Sequence, residues 1–188
     1  VYKRQVLVVI IFYSCQNNTV KTNFILDDEI ESKINSHLKK MTIADKVGQT
    51  CQVTLGALMK TDSKNKLIWP HEIDPQKLSV AINDFKIGSI LNVSNHTFDL
   101  ERWHEIIKTV QTEAMSSKLG IPIIYGIDAI HGVTYTRNST LFPQEIGLAA
   151  TWDVEHAKVM GEVTAYETRA SGIPLSLIHI SEPTRHSA

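Results

Sequence analysis

Cysteine is scarce in this chain: Cys15 and Cys51 are the only two among 188 residues. That excludes a disulfide framework and a cysteine-based metal site. An excess of charge is lacking as well. Nineteen Lys and Arg stand against 20 Asp and Glu, a formal net of -1, so nothing electrostatic favours nucleic acid or an anionic membrane surface. The one continuous apolar run, Val6 to Tyr13, is far shorter than the ~20 residues of a spanning helix. No repeat of fixed period occurs. What is present is ordinary: 43% hydrophobic and 21% charged residues, in a length that can enclose a full core. Composition names no function, so local motifs must.

The apolar run follows Lys3 and Arg4 and ends in Phe12-Tyr13-Ser14-Cys15-Gln16. A basic start, an apolar segment and a small residue before cysteine resemble a bacterial lipoprotein signal. The resemblance implies cleavage before Cys15 and lipidation of its thiol, although Tyr13 departs from the commonest pattern. The alternative is a buried strand with a free thiol. At the other end, Leu175 to His186 resembles translated sequencing-adapter DNA, as does the opening Val1 to Gln5. Native sequence is therefore expected from Val6 to Pro174.

Between these ends the pattern alternates. Ile30, Ile34, Leu38 and Met41 recur at helical spacing behind Asp27, Asp28 and Glu29,. Thr42-Ile43-Ala44-Asp45 resembles a capping box with Asp for Glu. Val47 to Val53 alternates as a strand does, and residues 60–76 read as a loop around Trp69,. A helix near 77–85 leads to a strand at 87–91. Trp103, Ile106, Ile107, Val110 and Ala114 mark one face of a helix over 99–118,. A strand at 121–126 and a helix over 153–170, with Asp153 as N-cap, follow. This order predicts βαβ units and a parallel α/β sheet with right-handed crossovers. About three strands are legible, too few to close a barrel of eight.

The most informative stretch lies where the third strand stops, at Gly126-Ile127-Asp128-Ala129-Ile130-His131-Gly132. Ligands in parallel α/β folds are held at the carboxyl ends of strands. An ionised Asp is rarely buried without partners. Asp128 therefore needs either structural donors or a polar ligand, and spacing alone leaves both open. His131 suits a supporting role, packing the loop or donating to a carbonyl or carboxylate. No nucleophilic Ser or Cys lies near it, which counts against an Asp-His catalytic pair.

Lys118 to Gly132, with Thr140 to Trp152 and Glu167 to Pro174, resembles the signature region of glycoside hydrolase family 3, the β-glucosidase and exo-β-glucanase group. Met41 to Gln49 and Ile87 to Leu91 fit the same pattern. The resemblance implies the amino-terminal part of an incomplete (β/α)8 TIM-like barrel over residues 24–174. Residues 1–23 are then signal or lipoprotein segment and linker, and 175–188 a non-native tail. It implies that Asp128 binds substrate, accepting hydrogen bonds from the hydroxyls at carbons 4 and 6 of a terminal glucosyl unit. It also implies an exported retaining β-glucosidase, periplasmic or anchored to the outer membrane through Cys15, acting on a β-glucoside or β-glucan oligosaccharide. No nucleic acid, cofactor or metal is called for.

A retaining glycosidase needs two carboxyl groups, a nucleophile and an acid/base. In the family resembled both come later than Leu175, so no catalytic residue is assigned here and the chain alone is expected to be inactive. Glu145, Glu162 and Glu167 match no catalytic motif. The open edge of an incomplete barrel is expected to make the isolated chain prone to aggregation. A β-xylosidase or other specificity of the family, and a non-catalytic sugar-binding lipoprotein, are the alternative readings. The Gly126 to Gly132 sequence favours glucosidase over the hexosaminidase branch.

Other residues carry ordinary readings. Trp103 is expected in the core, Trp152 at a helix entrance, and Arg137 in solvent. His96, His104 and His156 read as surface or helix-face residues. Asn92, Asn95 and Asn138 begin Asn-x-Ser/Thr triplets, which matter only in a eukaryotic secretory pathway.

Overall fold

A computed structural model describes residues 27–93 and 96–176; Cys15, the signal-like segment and Asn95 lie outside the described residues. The chain divides into two units, at Lys40 and Met41. In the first, helix α1 (Asp28–Lys40) is capped by Asp27, whose carboxylate accepts from Glu29 N at 2.9 Å and Ile30 N at 3.3 Å. Its apolar stripe of Ile30, Ile34 and Leu38 is exposed.

The second unit is a four-stranded parallel sheet in the order β1-β2-β3-β4. Its elements are α2 (Ile43–Gln49), β1 (Gln52–Thr54), α3 (Pro75–Ser79), β2 (Ser89–Leu91) and α4 (Leu100–Ser116). They continue with β3 (Ile124–Ile127), α5 (Glu145–Ala149), α6 (Val154–Ala170) and β4 (Leu175–Ser176). Neighbours in sequence are neighbours in the sheet, as at the start of a barrel wound strand by strand. Among the described residues the outermost strands, β1 and β4, pair on one side only. No helix among the described residues is long and apolar enough to cross a membrane.

The capping box forms with both halves in place: Thr42 Oγ1 accepts from Asp45 N at 3.1 Å, and Thr42 N donates to Asp45 Oδ2 at 2.8 Å. That box commits residues 43–49 to helix, so the strand expected from Val47 begins only at Gln52. Gly48 lets α2 lie against the chain at Phe85 and Lys86, where a Cβ would meet backbone. The bonds from Thr42, backbone first and then hydroxyl, hold the Asp45 carboxyl below its usual range, and Lys86 Nζ at 3.7 Å adds to this. A depressed carboxylate contributes stability above its unfolded value and loses it as pH falls. Asp45→Asn is therefore expected to melt lower than wild type at pH 7, with the gap closing below about pH 4. An equal deficit in thermal melts at both pH values would show that the charge is not what matters.

Side chains that share one face of the sheet supply much of the core. Ile90, Tyr125 and Ile127 from the sheet meet Trp103, Ile106, Val110 and Ala114 from α4, all buried. Each such aliphatic side chain is worth about 1.5–3 kcal/mol on burial. Trp103 is in the core, as the helical spacing predicts, and its Nε1 donates to the Tyr135 carbonyl at 3.1 Å.

The third strand begins at Ile124 rather than Ile121. Pro122 has no N–H to give to a ladder, and the backbone of Ile123 is instead held by a side chain. Gln111 on α4 donates Nε2 to Ile123 O at 2.7 Å and accepts from Ile123 N at 3.1 Å through Oε1. The chain leaves α6 through Gly172, at φ +78°, and buried Ile173. Leu175 and Ser176, within the segment read from sequence as tail, then pair with Gly126 and Ile127.

Candidate functional site

Three loops leave the carboxyl ends of β1, β2 and β3, and the candidate site is built where the second and third meet. Asn92 follows directly on β2 in the left-handed region, at φ +52°, a conformation that Asn tolerates better than most residues. All of its polar groups are engaged. Its N–H donates to Gly126 O at 2.8 Å, continuing the ladder, and its carbonyl accepts from the Tyr125 hydroxyl at 2.9 Å. Its side-chain amide closes a two-bond ring with Asp128: Nδ2 donates to Asp128 Oδ2 at 2.9 Å, and Oδ1 accepts from Asp128 N at 2.9 Å.

Asp128 is thus fixed at the end of β3, half-buried, with one carboxylate oxygen taken by Asn92. Among the described residues its other oxygen, Oδ1, accepts no hydrogen bond. An ionised carboxylate has several acceptor sites, and here at least one oxygen remains for a ligand. The next residue is held too, since Ala129 N donates to Ser176 Oγ at 3.2 Å. Beneath the site Tyr125 is almost wholly buried, which pushes its phenol far above the ordinary range. Tyr125 therefore acts as a neutral donor. Tyr135 is raised as well, first by burial and then by the Asp128 charge.

His131 is half-buried on the same loop, and its carbonyl accepts from Phe142 N at 2.9 Å. Among the described residues no hydrogen bond joins its ring to Asp128. Gly132, at φ +97°, turns the chain so tightly that an added Cβ would fall on the Thr140 carbonyl oxygen. Thr140 is itself clamped from α6: its N–H donates to Glu167 Oε2 at 2.9 Å and its hydroxyl to Oε1 at 2.8 Å. Glu167 is accordingly committed to holding the loop, while Glu145 and Glu162 are exposed. The described residues bring no second carboxylate to Asp128.

Sequence reasoning singled out Asp128 but not the residue that holds it, Asn92, which it read only as the start of a glycosylation triplet. The amide that would carry a glycan is the donor to Asp128. The signal that could have found it was position: both residues come directly after a parallel strand. His96 is also corrected. It is not a surface residue but a half-buried one, packed among Trp69, His71 and Phe98, and burial with His71 and Arg137 nearby lowers its affinity for a proton. Trp152 is 94% exposed, beyond a helix entrance it does not cover.

The model of the glycosyl hydrolase family 3 N terminal domain matches residues 42–182. A lysosomal beta glucosidase of Dictyostelium discoideum is 35% identical over 150 residues, covering 75% of this chain and 17% of that protein. A periplasmic beta-glucosidase of Salmonella typhimurium is 26% identical over 140 residues, 74% of this chain and 15% of the relative. A beta-xylosidase of Formosa agariphila is 33% identical over 94 residues, 48% of this chain and 12% of the relative. The chain therefore spans less than a fifth of the length of these relatives.

Proposed function

The chain belongs to glycosyl hydrolase family 3, and on that premise we propose that it is the amino-terminal part of an exported retaining β-glucosidase. The observation that carries the reading is Asp128, held rigid by Asn92 at a strand end with an acceptor oxygen left over. In this reading the carboxylate accepts from the hydroxyls at carbons 4 and 6 of a terminal glucosyl unit. Bonds from hydroxyls to an ionised acceptor are the stronger kind. They select and orient the sugar without breaking the bond. A nucleophile and an acid/base about 5–5.5 Å apart must come from elsewhere in the longer polypeptide. The 188 residues alone are then inactive. His131 packs the loop beside Asp128, and Cys15 carries the lipid that tethers the exported enzyme.

The likeness to a beta-xylosidase supports a second specificity. Xylose lacks the hydroxymethyl group at carbon 6, so a xylosidase gains one bond from Asp128 where a glucosidase gains two. The longer polypeptide is expected to hydrolyse aryl β-glucosides faster than aryl β-xylosides and to release β-glucose first, as proton NMR would detect. Initial release of the α-anomer would rule out retention, and a preference for the xyloside would move the specificity.

A further inference from the structure

We propose that the cleft between the loop after β1 and the amino-terminal end of α4 is a second carbohydrate subsite, which takes a neutral pyranosyl unit against the face of Trp69. The proposal rests on the glucosidase reading and extends it, from the terminal sugar to the oligosaccharide that the sugar ends. Trp69 is 68% exposed, an unusual state for the largest apolar side chain. Its position is nonetheless fixed. The ring meets His71 edge-on at 5.4 Å and His96 at 4.9 Å, and the two imidazoles meet each other at 4.6 Å.

His96 in turn meets Phe98 at 5.0 Å, and Phe98 meets the buried Trp103 at 5.3 Å. Such edge-to-face contacts are the favoured aromatic geometry. They run from the core outward to an exposed indole. The loop is pinned from α4 as well: Arg102 donates to the His71 carbonyl at 2.7 Å while pairing with Glu105 at 2.8 Å. A rigid platform loses little conformational entropy when a ligand lies on it.

The cleft beside the platform has a volume of about 380 Å³, within the range of small-molecule sites. Its polar lining is mixed. Among the described residues Arg137 and Glu101 stand in no ion pair, which leaves a guanidinium fork and a carboxylate for a ligand. Two arginines face three carboxylates, Asp99, Glu101 and Glu105. A phosphate or a nucleic acid would require uncompensated positive charge. Adjacent donors and acceptors in a weak net field, beside an aromatic face, instead fit the hydroxyls and C–H face of a neutral sugar. The loops bearing Trp69, His96 and Arg137 follow β1, β2 and β3 respectively, at the same end of the sheet as Asp128.

The test uses the longer polypeptide, an aryl β-glucoside and gluco-oligosaccharides of increasing length. Trp69→Ala is expected to leave kcat/KM on the aryl glucoside within about twofold, while KM for the longer oligosaccharides rises about three- to tenfold at unchanged kcat. Trp69→Phe should restore most of the loss. Equal changes on short and long substrates, or no change on either, would overturn the subsite. A second readout does not depend on turnover: quenching of tryptophan fluorescence by a non-hydrolysable thio-linked gluco-oligosaccharide. Saturable quenching lost in Trp69→Phe supports the subsite even if no β-glucoside is hydrolysed, the outcome that would sink the activity instead. No binding at millimolar concentration, or tighter binding of a sulfated oligosaccharide, would overturn the neutral-sugar site.

Discussion

Asp128→Asn in the longer polypeptide is expected to lower kcat/KM on aryl β-glucosides by about 10²–10⁴-fold, with little change in thermal stability. The figure follows from the bonds. Asn92 Nδ2 already donates to Asp128 Oδ2. An asparagine at 128 would turn its carbonyl oxygen toward that donor and its own NH2 toward the ligand. Two hydroxyls that donated to an ionised acceptor would then face a neutral donor. Each hydrogen bond to a charged group is worth about 1.5–3 kcal/mol, and two give roughly 3–6 kcal/mol. The fold should survive because the ring with Asn92 can still close. Kinetics within tenfold of wild type, in a variant of unchanged melting temperature, would remove Asp128 from the substrate site and leave it a structural cap.

The same pair shows how far the amino-acid sequence carries the argument. Asp128 is legible because a carboxylate directly after an apolar strand needs partners, and the surrounding motif supplies the rest. The caps at Thr42 and Asp153 are legible for a similar reason: each satisfies N–H groups within three residues of itself,. For Asn92 only the strand-end position is legible; its bond to Asp128 is not, since that depends on a positive φ and on the register that sets β2 beside β3. Trp69 and His96 come from different loops, and only folding brings their rings together. The misread strand at Val47 has a different cause. A short alternating run fits a strand as well as a helix, and the capping box decided between them. At the far end, Leu175-Ser176 is too short to signal a strand at all, and pairing with Gly126 and Ile127 defines it.

Gly132→Ala is expected to cost more than about 4 kcal/mol, among the largest effects a single methyl group can have. Two terms combine. At φ +97° the backbone lies where side chains are strained, a cost of order 1–3 kcal/mol. The new Cβ also falls on the carbonyl oxygen of Thr140, which is backbone and cannot rotate away. Relief requires moving Thr140, and that pulls its N–H and hydroxyl from Glu167. Each hydrogen bond to a charged group adds about 1.5–3 kcal/mol. For a domain of this size the melting temperature should fall by roughly 8–16 °C. The loop bearing His131 and ending near Asp128 would shift with it, so activity should fall even at temperatures where the variant stays folded. Glu167→Gln offers the comparison, because it weakens the clamp without adding the methyl group and should cost about a third as much or less. A Gly132→Ala protein that melts within a few degrees of wild type would show that the turn can relax, and that the rigidity of the Asp128 loop comes from Asn92 alone.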